Sequence, residues 1–230
     1  MKLLVIVGKK RSGKDTTADY INEHYKTLKW QLAMPIKYAL HIAWQRTHMN
    51  ELYELRGEDW EGTGIDREMS LPINNEDAYD ILHESIEVLH EVFNFKHSKY
   101  DTKVQDAISS VLNNNVEEWS IRRLMQTLGT DVVVNKLDCM YWVKLFAENY
   151  LDNFYSGYDY YIIPDVRQVH EIDTLRAMGA TIVHVVRPET DQSNKDSHIT
   201  EAGLPISPGD SVIMNTGTLE QLFEQIKKVI

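Results

Sequence analysis

The chain has 230 residues, enough to bury the core of one domain or of one domain with an insertion. Its formal net charge of −11 argues against a protein that coats nucleic acid, although a few cations inside a cleft can still bind a nucleotide. A single cysteine, Cys139, excludes an internal disulfide and a metal cage built from cysteines. No apolar run approaches the roughly 20 residues needed to cross a membrane, so we expect a cytoplasmic protein with no membrane partner and no direct nucleic-acid partner.

The first predicted elements are a strand, a glycine loop and a helix. Lys2 to Val7 is apolar and branched, as in a buried parallel strand, and a helix is predicted from Gly13 to about Lys26. Trp30 to Ala33 is predicted as a second short strand. Pro35 then suits the first turn of a helix whose apolar face carries Ile36, Ala39, Leu40 and Ala43.

Residues from about 47 to 115 differ from the rest, being polar and rich in His, Asn and Glu. Apolar residues recur at helical spacing in "EDAYDILHESIEVLHEVF", namely Ile81, Leu82, Ile86, Leu89 and Phe93. We therefore predict one domain over 1–230 with a mostly helical insertion at about 47–115. The asparagines at 113 to 115 are predicted to close it.

The second half again alternates between helices and strands. Ser120 resembles the N-cap of a helix over "IRRLMQTLG", with Gly129 as its stop signal, and a further helix is predicted over about 139–153. The later segments are a strand in "YDYYIIPDVR", a helix in "QVHEIDTLRAMG", strands in "ATIVHVVRP" and "SVIMN", and a closing helix in "TLEQLFEQIKKVI" capped by Thr218. This alternation predicts an α/β fold, a parallel sheet with helices on both faces.

The loop after the first strand, "GKKRSGKDTT", nearly matches the phosphate-binding pattern G-x-x-x-x-G-K-[ST]. Gly8 and Gly13 allow tight turns, and backbone N–H groups at the helix N-terminus favour an anion. Lys14 is predicted to reach the β- and γ-phosphates. Further donors in the loop are Lys9, Lys10, Arg11 and Ser12. The alternative is a glycine-rich turn without a ligand.

Asp15 stands where the pattern has a serine or threonine, and Thr16 follows it. "GKDT" resembles the "GKGT" of nucleoside monophosphate kinases more than the loop of a GTPase. A carboxylate beside phosphates repels them unless a cation lies between, so we predict that Asp15 recruits magnesium, directly or through water, with Thr16 as a second oxygen donor. Positioning of the acceptor phosphate is another role for Asp15. It could also serve only to favour the start of the helix.

A phosphorylated acceptor requires more cations than water does. The candidates are Lys37, Arg67, Arg122, Arg123 and Arg167. An arginine matches a phosphate with two hydrogen bonds, although each of these residues by itself also suits a solvated surface.

Arg122, Gln126 and Gly129 share one face of a predicted helix, which could offer a cation to a phosphate and an amide to a base. Trp142 could stack on a base or belong to the core. Asp165, just past a strand, could hold magnesium through water, bond a sugar hydroxyl or cap a turn. The histidines show no metal-ligand spacing, and His198, followed by Glu201, is the one of most interest.

Several stretches together resemble the deoxynucleoside monophosphate kinases of T-even tailed phages. They are "GKKRSGKDTTADYI", "QLAMPIKYAL", "DREMS", "WSIRRLMQTLGTD", "MYWVKLFAENYLDNFYSGYDYYIIPDVRQVHE", "RAMGATIVHVVRP" and "SHITEAGLPI". The resemblance covers nearly the whole chain except roughly 47–62 and 72–115, where the sequence is diverged or shortened.

The resemblance implies an adenylate-kinase-like P-loop fold, a homodimer and transfer of phosphate from ATP to a deoxynucleoside monophosphate with magnesium. It implies dGMP, dTMP and 5-hydroxymethyl-dCMP as acceptors, with dAMP and dCMP excluded. The resemblance also implies that the enzyme acts in the cytoplasm of an infected bacterium, within a phage dNTP-synthesis complex. The implied nucleotide-loop residues are Arg11, Gly13, Lys14, Asp15 and Thr16. The implied acceptor residues are Lys37, Arg67, Arg122, Arg123, Gln126, Gly129, Thr130, Trp142 and Asp165, to which we add Lys10. We assign catalysis to Lys14, Asp15, Arg122 and Arg167.

Two other functions stay open. Transfer to a different phosphorylated acceptor, such as phosphomevalonate, is compatible with a "GKD" loop, although the Arg–Gln–Trp set favours a base. A nucleotide-driven switch would usually keep the Ser/Thr that Asp15 replaces, and no N-K-x-D guanine signature is present.

Overall fold

A computed structural model describes residues 1–9, 11–113, 115–188 and 204–230. Its strands are β1 Lys2–Val7, β2 Thr27–Lys29, β3 Tyr160–Ile163, β4 Thr181–Val186 and β5 Ser211–Met214. Its α-helices are α1 Lys14–His24, α2 Met34–Arg46, α3 Met49–Leu52, α4 Gly57–Glu61, α5 Asn75–Phe93, α6 Thr102–Leu112, α7 Ile121–Gln126, α8 Tyr141–Asp152, α9 Val169–Ala177 and α10 Leu219–Val229. A π-helix, Thr127–Leu137, follows α7.

The chain forms two compact units. The first unit contains Met1–Leu32 and Phe146–Ile230, and the second contains Ala33–Leu145. Residues 47–115, predicted as a mostly helical insertion, carry α3 to α6 and lie inside the second unit. The second unit also holds α2, α7 and the π-helix. The description of the chain as one domain with an insertion stays a prediction.

The first unit is built on a parallel sheet with the strand order β2-β3-β1-β4-β5. Alternate side chains of the central strand β1 point to opposite faces. Leu4 and Ile6 pack in one cluster with residues of α1 and α10, and Leu3 and Val5 pack in another with residues of α8 and α9. Helices therefore cover both faces, and the predicted α/β fold is confirmed.

The second predicted strand was wrong in position. The structure places β2 at Thr27–Lys29, paired with β3, and Trp30 only extends the pairing by donating its backbone N–H to Ile162 (2.9 Å). This short edge strand has a polar residue at each end and no fully buried side chain. Its sequence therefore lacks the apolar run by which β1 could be recognised.

The second unit is helical in the part of the chain that the structure describes, and it has its own hydrophobic core. The predicted apolar faces of α2 and α5 both point into this core. Asn74 begins α5 by accepting hydrogen bonds from the backbone N–H groups of Glu76 and Asp77. None of the described helices is both long enough and apolar enough to cross a membrane.

The predicted stop at Gly129 was also wrong. Ser120 does cap α7, accepting a hydrogen bond from the backbone of Arg123, but the helical path continues past Gly129 as the π-helix to Leu137. Gly129 is buried against Ile36, where a Cβ atom would lie 2.6 Å from the Ile36 Cδ1. The glycine serves close packing there, which the local sequence cannot distinguish from a helix end.

Candidate functional site

The loop between β1 and α1 lies at the edge of the sheet where parallel strands end. Gly13 precedes α1 with φ 103°, and a Cβ atom there would lie 2.5 Å from the Asn215 Nδ2. A Cβ atom at Gly8 would collide with the carbonyl oxygen of Val185. Arg11 adopts a left-handed φ of 64°, which is uncommon outside glycine and clusters at functional sites. Both glycines are therefore required by the path of the loop.

Asn215, which follows β5, holds the loop from the other end of the chain. Its side-chain amide donates to the carbonyl oxygen of Ser12 over 2.8 Å. The Ser12 hydroxyl is itself buried and has no hydrogen-bond partner among the described residues. A buried polar atom without a partner is costly, so this hydroxyl suits a ligand that accepts or donates a hydrogen bond.

A cleft of about 310 Å³ opens in front of this loop, and its charged and polar lining consists of Arg11, Lys14, Asp15, Thr16, Arg187 and Asn215. The Lys14 side chain folds back to donate to the Lys9 carbonyl oxygen at 3.2 Å. Asp15 and Thr16 are exposed at the start of α1. The cleft thus presents cations, a helix N-terminus and two hard oxygen donors.

These residues fit a nucleotide phosphate with magnesium. The partnerless Ser12 hydroxyl and the glycine-dependent loop suit phosphate oxygens. The Asp15 carboxylate and the Thr16 hydroxyl are the oxygen ligands that magnesium prefers, with water and phosphate completing its shell. Within the described ranges, no cluster of three or more His, Cys, Asp or Glu side chains could cage a metal. A magnesium ion at a nucleotide site requires no such cage, because one or two protein carboxylates together with substrate phosphates commonly hold it.

Asp165 and Arg167 follow β3, the neighbour of β1, so they lie at the same edge of the sheet. The Asp165 carboxylate accepts a hydrogen bond from the Leu32 backbone (2.9 Å). The backbone N–H of Arg167 donates to Glu171 (2.9 Å). Burial raises the pKa of Glu171 to about 7, and the negative charge of Asp165 adds to the effect. Glu171 is a buried acid that sequence analysis did not single out.

In the second unit, Lys37 forms an ion pair with Glu61 that was not predicted. The Lys37 Nζ lies 2.5 Å from the Glu61 Oε2. Arg67 follows the same short helix, α4, and its Nη1 lies 3.5 Å from the Trp60 carbonyl oxygen. The predicted cations Lys37 and Arg67 therefore contact two successive residues of α4, Glu61 and Trp60.

Arg122 joins this group through the backbone. Its N–H donates to the Arg67 carbonyl oxygen at 2.9 Å, and a bridge between Ser70 and Ser120 extends the pairing. The Arg122 Nε also lies 3.9 Å from a carboxylate oxygen of Glu68. The motifs "DREMS" and "WSIRRL", far apart in sequence, are thus adjacent in space.

Arg123, the neighbour of Arg122, is held by protein groups. Its guanidinium lies 5.2 Å from the centre of the Trp119 ring and donates to the Asn115 Oδ1 at 2.5 Å. It also pairs with the Glu117 carboxylate. Burial lowers the pKa of the Arg123 guanidinium. These contacts brace the start of α7, and a role for Arg123 at the acceptor stays a prediction.

Three further predicted acceptor residues lie close to α7. The Gln126 side-chain nitrogen is buried without a hydrogen-bond partner among the described residues, which suits an amide that donates to a ligand. Thr130 is buried. The Trp142 ring is 3% exposed, and its Nε1 donates to the Gly129 carbonyl oxygen at 3.0 Å. Trp142 therefore belongs to the core here, a placement that does not favour stacking on a base.

Sequence analysis missed Asn215, Arg187 and Glu61. Arg187 and Asn215 each follow a strand of the parallel sheet, and that position was available as a signal. Glu61 lies in the segment that had been set aside as diverged. Lys10, His198 and Glu201 lie outside the described residues.

Comparison with known proteins shows the family of the chain. A family model for deoxynucleotide monophosphate kinase matches residues 2–226. The chain belongs to the deoxynucleotide monophosphate kinase family. It is 50% identical over 245 residues to the deoxynucleotide monophosphate kinase of Escherichia phage RB69, covering 100% of both chains. It is also 50% identical over 240 residues to the deoxynucleotide monophosphate kinase of Enterobacteria phage T4, covering 100% of this chain and 99% of that one.

Membership of the deoxynucleotide monophosphate kinase family confirms the predicted family and the predicted enzyme class, a kinase. A kinase of this family implies a nucleotide as phosphate donor. The roles of individual site residues stay predictions.

Proposed function

We propose that the protein transfers the γ-phosphate of ATP to deoxynucleoside monophosphates, giving diphosphates for phage DNA synthesis. The observation that carries the proposal is the β1–α1 loop, with its required glycines, its partnerless Ser12 hydroxyl and Lys14. The family of its relatives supplies the acceptor class.

Phosphoryl transfer depends mostly on positioning and on neutralising charge. The loop N–H groups and the Lys14 ammonium would hold the donor phosphates, and the Ser12 hydroxyl would gain the partner that it lacks. Asp15 and Thr16 would hold magnesium, which when bound neutralises charge on the β- and γ-phosphates. Arg11 and Arg187 add positive charge at the mouth of the same cleft.

On the acceptor side, Lys37, Arg67 and Arg122 would hold the monophosphate. They are supported by their common location around α4 and the start of α7. Gln126 has a buried side-chain nitrogen available for a base. Arg167 is assigned to catalysis, and Asp165 to a sugar hydroxyl or to water-mediated magnesium. Both follow β3 at the ligand-binding edge of the sheet.

The finer assignments follow the family resemblance. We propose dGMP, dTMP and 5-hydroxymethyl-dCMP as acceptors, a homodimer as the working form, and a place in a phage dNTP-synthesis complex in the cytoplasm of the infected cell.

The test is a coupled assay of ADP release, with ATP and magnesium, against each deoxynucleoside monophosphate and 5-hydroxymethyl-dCMP in turn. A reaction without acceptor is the control. We expect rapid turnover with dGMP, dTMP and 5-hydroxymethyl-dCMP and little with dAMP or dCMP. Protein that binds ATP but turns over with none of the acceptors would reject the proposal in favour of a switch or of a non-nucleotide acceptor.

A further inference from the structure

The ion pair between Lys37 and Glu61 is unequal in burial. The Lys37 side chain is 9% exposed, whereas the Glu61 side chain is 49% exposed, and the two charged groups are 2.5 Å apart. A buried ammonium without a partner is costly, but a carboxylate that is already half in water can leave at little cost. The lysine therefore requires an anion, and Glu61 is an anion that can be exchanged.

Contacts made by neighbouring residues hold the backbone at Glu61 in place. The Glu61 side chain can therefore move away from Lys37 while its backbone stays. The buried Asp59 carboxylate accepts hydrogen bonds from the backbone of Arg56 (2.7 Å) and of Ile65 (2.9 Å). Trp60 is 1% exposed and packs against Trp44, with ring centres 6.2 Å apart. The Trp60–Trp44 contact holds α4 against α2, and the two Asp59 hydrogen bonds hold the backbone before and after the residue that reaches Lys37.

The same pattern recurs at the next cation. Arg122 has a 17% exposed side chain, and Glu68, 52% exposed, lies 3.9 Å from its Nε. Arg67 lies between the two pairs in the chain and packs against Gly62, the residue after Glu61. The proposed monophosphate ligands are thus accompanied by two half-exposed carboxylates, Glu61 and Glu68.

We propose that Glu61 is a displaceable carboxylate, which neutralises Lys37 when no acceptor is bound and yields to the acceptor phosphate. This inference rests on the proposed function, since it takes Lys37 as a ligand of the monophosphate. Glu61 keeps the lysine in place and weakens acceptor binding, because the phosphate must first break an existing ion pair. It is a positioning residue and does not react.

Replacement of Glu61 by glutamine provides the test, with calorimetric titration of dGMP and dTMP as probes. The variant loses the ion pair of the free protein and leaves the phosphate–lysine contact intact. We therefore expect Glu61→Gln to bind the probes about 3- to 10-fold more tightly than the wild type. Glu58→Gln removes the same charge from an exposed position of the same helix, and we expect its affinity to stay within about twofold of the wild type.

A double-mutant cycle shows whether the effect passes through Lys37. In a Lys37→Met background, Glu61→Gln should give no further tightening. A structural role of Glu61 would instead appear as weaker binding or a lower melting temperature in both backgrounds. Weaker or unchanged binding by Glu61→Gln, with the wild type binding normally, would overturn the inference alone. Absence of binding of any deoxynucleoside monophosphate by the wild type would overturn the proposed function and the inference together.

Discussion

Asp15 raises the sharpest question at the residue scale, because its carboxylate stands beside a loop that is predicted to bind anionic phosphates. It is exposed in the first turn of α1, next to the Thr16 hydroxyl and at the mouth of the cleft. Stabilisation of a helix start and recruitment of magnesium both suit this position. Recruitment of magnesium affects turnover, and so does positioning of the acceptor phosphate, whereas stabilisation of the helix start does not.

We expect Asp15→Asn to lower kcat by about 10- to 100-fold with little change in ATP affinity, because one charge-assisted contact is worth on the order of 1.5–3 kcal/mol. Steady-state kinetics and a separate ATP-binding titration check this. Asp19→Asn, one turn later on α1, removes an exposed carboxylate that pairs with Lys29 and should leave kcat unchanged. Near-normal turnover of Asp15→Asn would show that Asp15 only starts the helix.

A second prediction at this scale concerns Asn215. Asn215→Ala removes the hydrogen bond to the Ser12 carbonyl and should weaken ATP binding by about 2- to 10-fold, the worth of one neutral hydrogen bond. Asn215→Asp has nearly the same shape but no donor and an added negative charge, so it should bind ATP more weakly still. ATP affinities of the two variants measure this order. Wild-type affinity in Asn215→Asp would mean that this side chain does not support the phosphate loop.

At the scale of elements, the junction of α7 with the π-helix depends on Gly129. A methyl group there would lie 2.6 Å from the Cδ1 atom of Ile36. The Trp142 Nε1 also donates a hydrogen bond to the Gly129 carbonyl oxygen. π-Helices are rare and often lie at functional sites. This one carries the predicted acceptor residues Gly129 and Thr130.

We expect Gly129→Ala to destabilise the protein by about 1–2 kcal/mol, because overpacking outweighs the gain in helix propensity. Ile36→Val removes the opposing methyl group, so the double variant should recover part of the loss. Gly57→Ala, where a Cβ atom would meet nothing within 4 Å, is the control and should be neutral or stabilising. Urea denaturation of the wild type, the three single variants and the double variant measures these differences. Equal stability of Gly129→Ala and the wild type would mean that Ile36 yields without cost.

At the scale of the whole molecule, buried acids set how stability depends on pH. Burial alone would raise the pKa of Asp210, but hydrogen bonds from Arg176, the Ser207 backbone and His184 lower it to about 2. The contribution of Asp210 is therefore present above its ordinary pKa of 3.8 and is lost as the pH falls towards 2. Glu171, with its pKa raised from 4.5 to about 7, acts in the opposite direction.

Between pH 4.5 and about 7, folded protein holds a proton on Glu171 that unfolded protein has released. Stability should therefore fall as the pH rises through this window, by roughly 3 kcal/mol in total for this group. Glu171→Gln keeps an acceptor for the Arg167 and Gln168 N–H groups and removes the titration, so its stability should vary less with pH. Urea midpoints at pH 5, 6, 7 and 8 compare the two slopes, and parallel slopes would show that Glu171 is ionised throughout.

The sequence by itself determined the features that depend on neighbouring residues. The phosphate loop, the strand–helix alternation, the Ser120 and Thr218 caps and the apolar faces of α2 and α5 are all local patterns. A glycine before a lysine, or an apolar residue every three or four positions, acts on the backbone and side chains of a single turn, helix or strand. Such a pattern can therefore be recognised without the rest of the fold.

Tertiary structure alone decided which polar groups meet. Asn215 donates a hydrogen bond to Ser12, 203 residues away in the chain. Glu61 of α4 forms an ion pair with Lys37 of α2, and the guanidinium of Arg123 packs against the Trp119 ring. Gly129 extends a helical path instead of ending one because Ile36 packs against it. These outcomes depend on burial and charge contributed by distant segments, so no local pattern contains them.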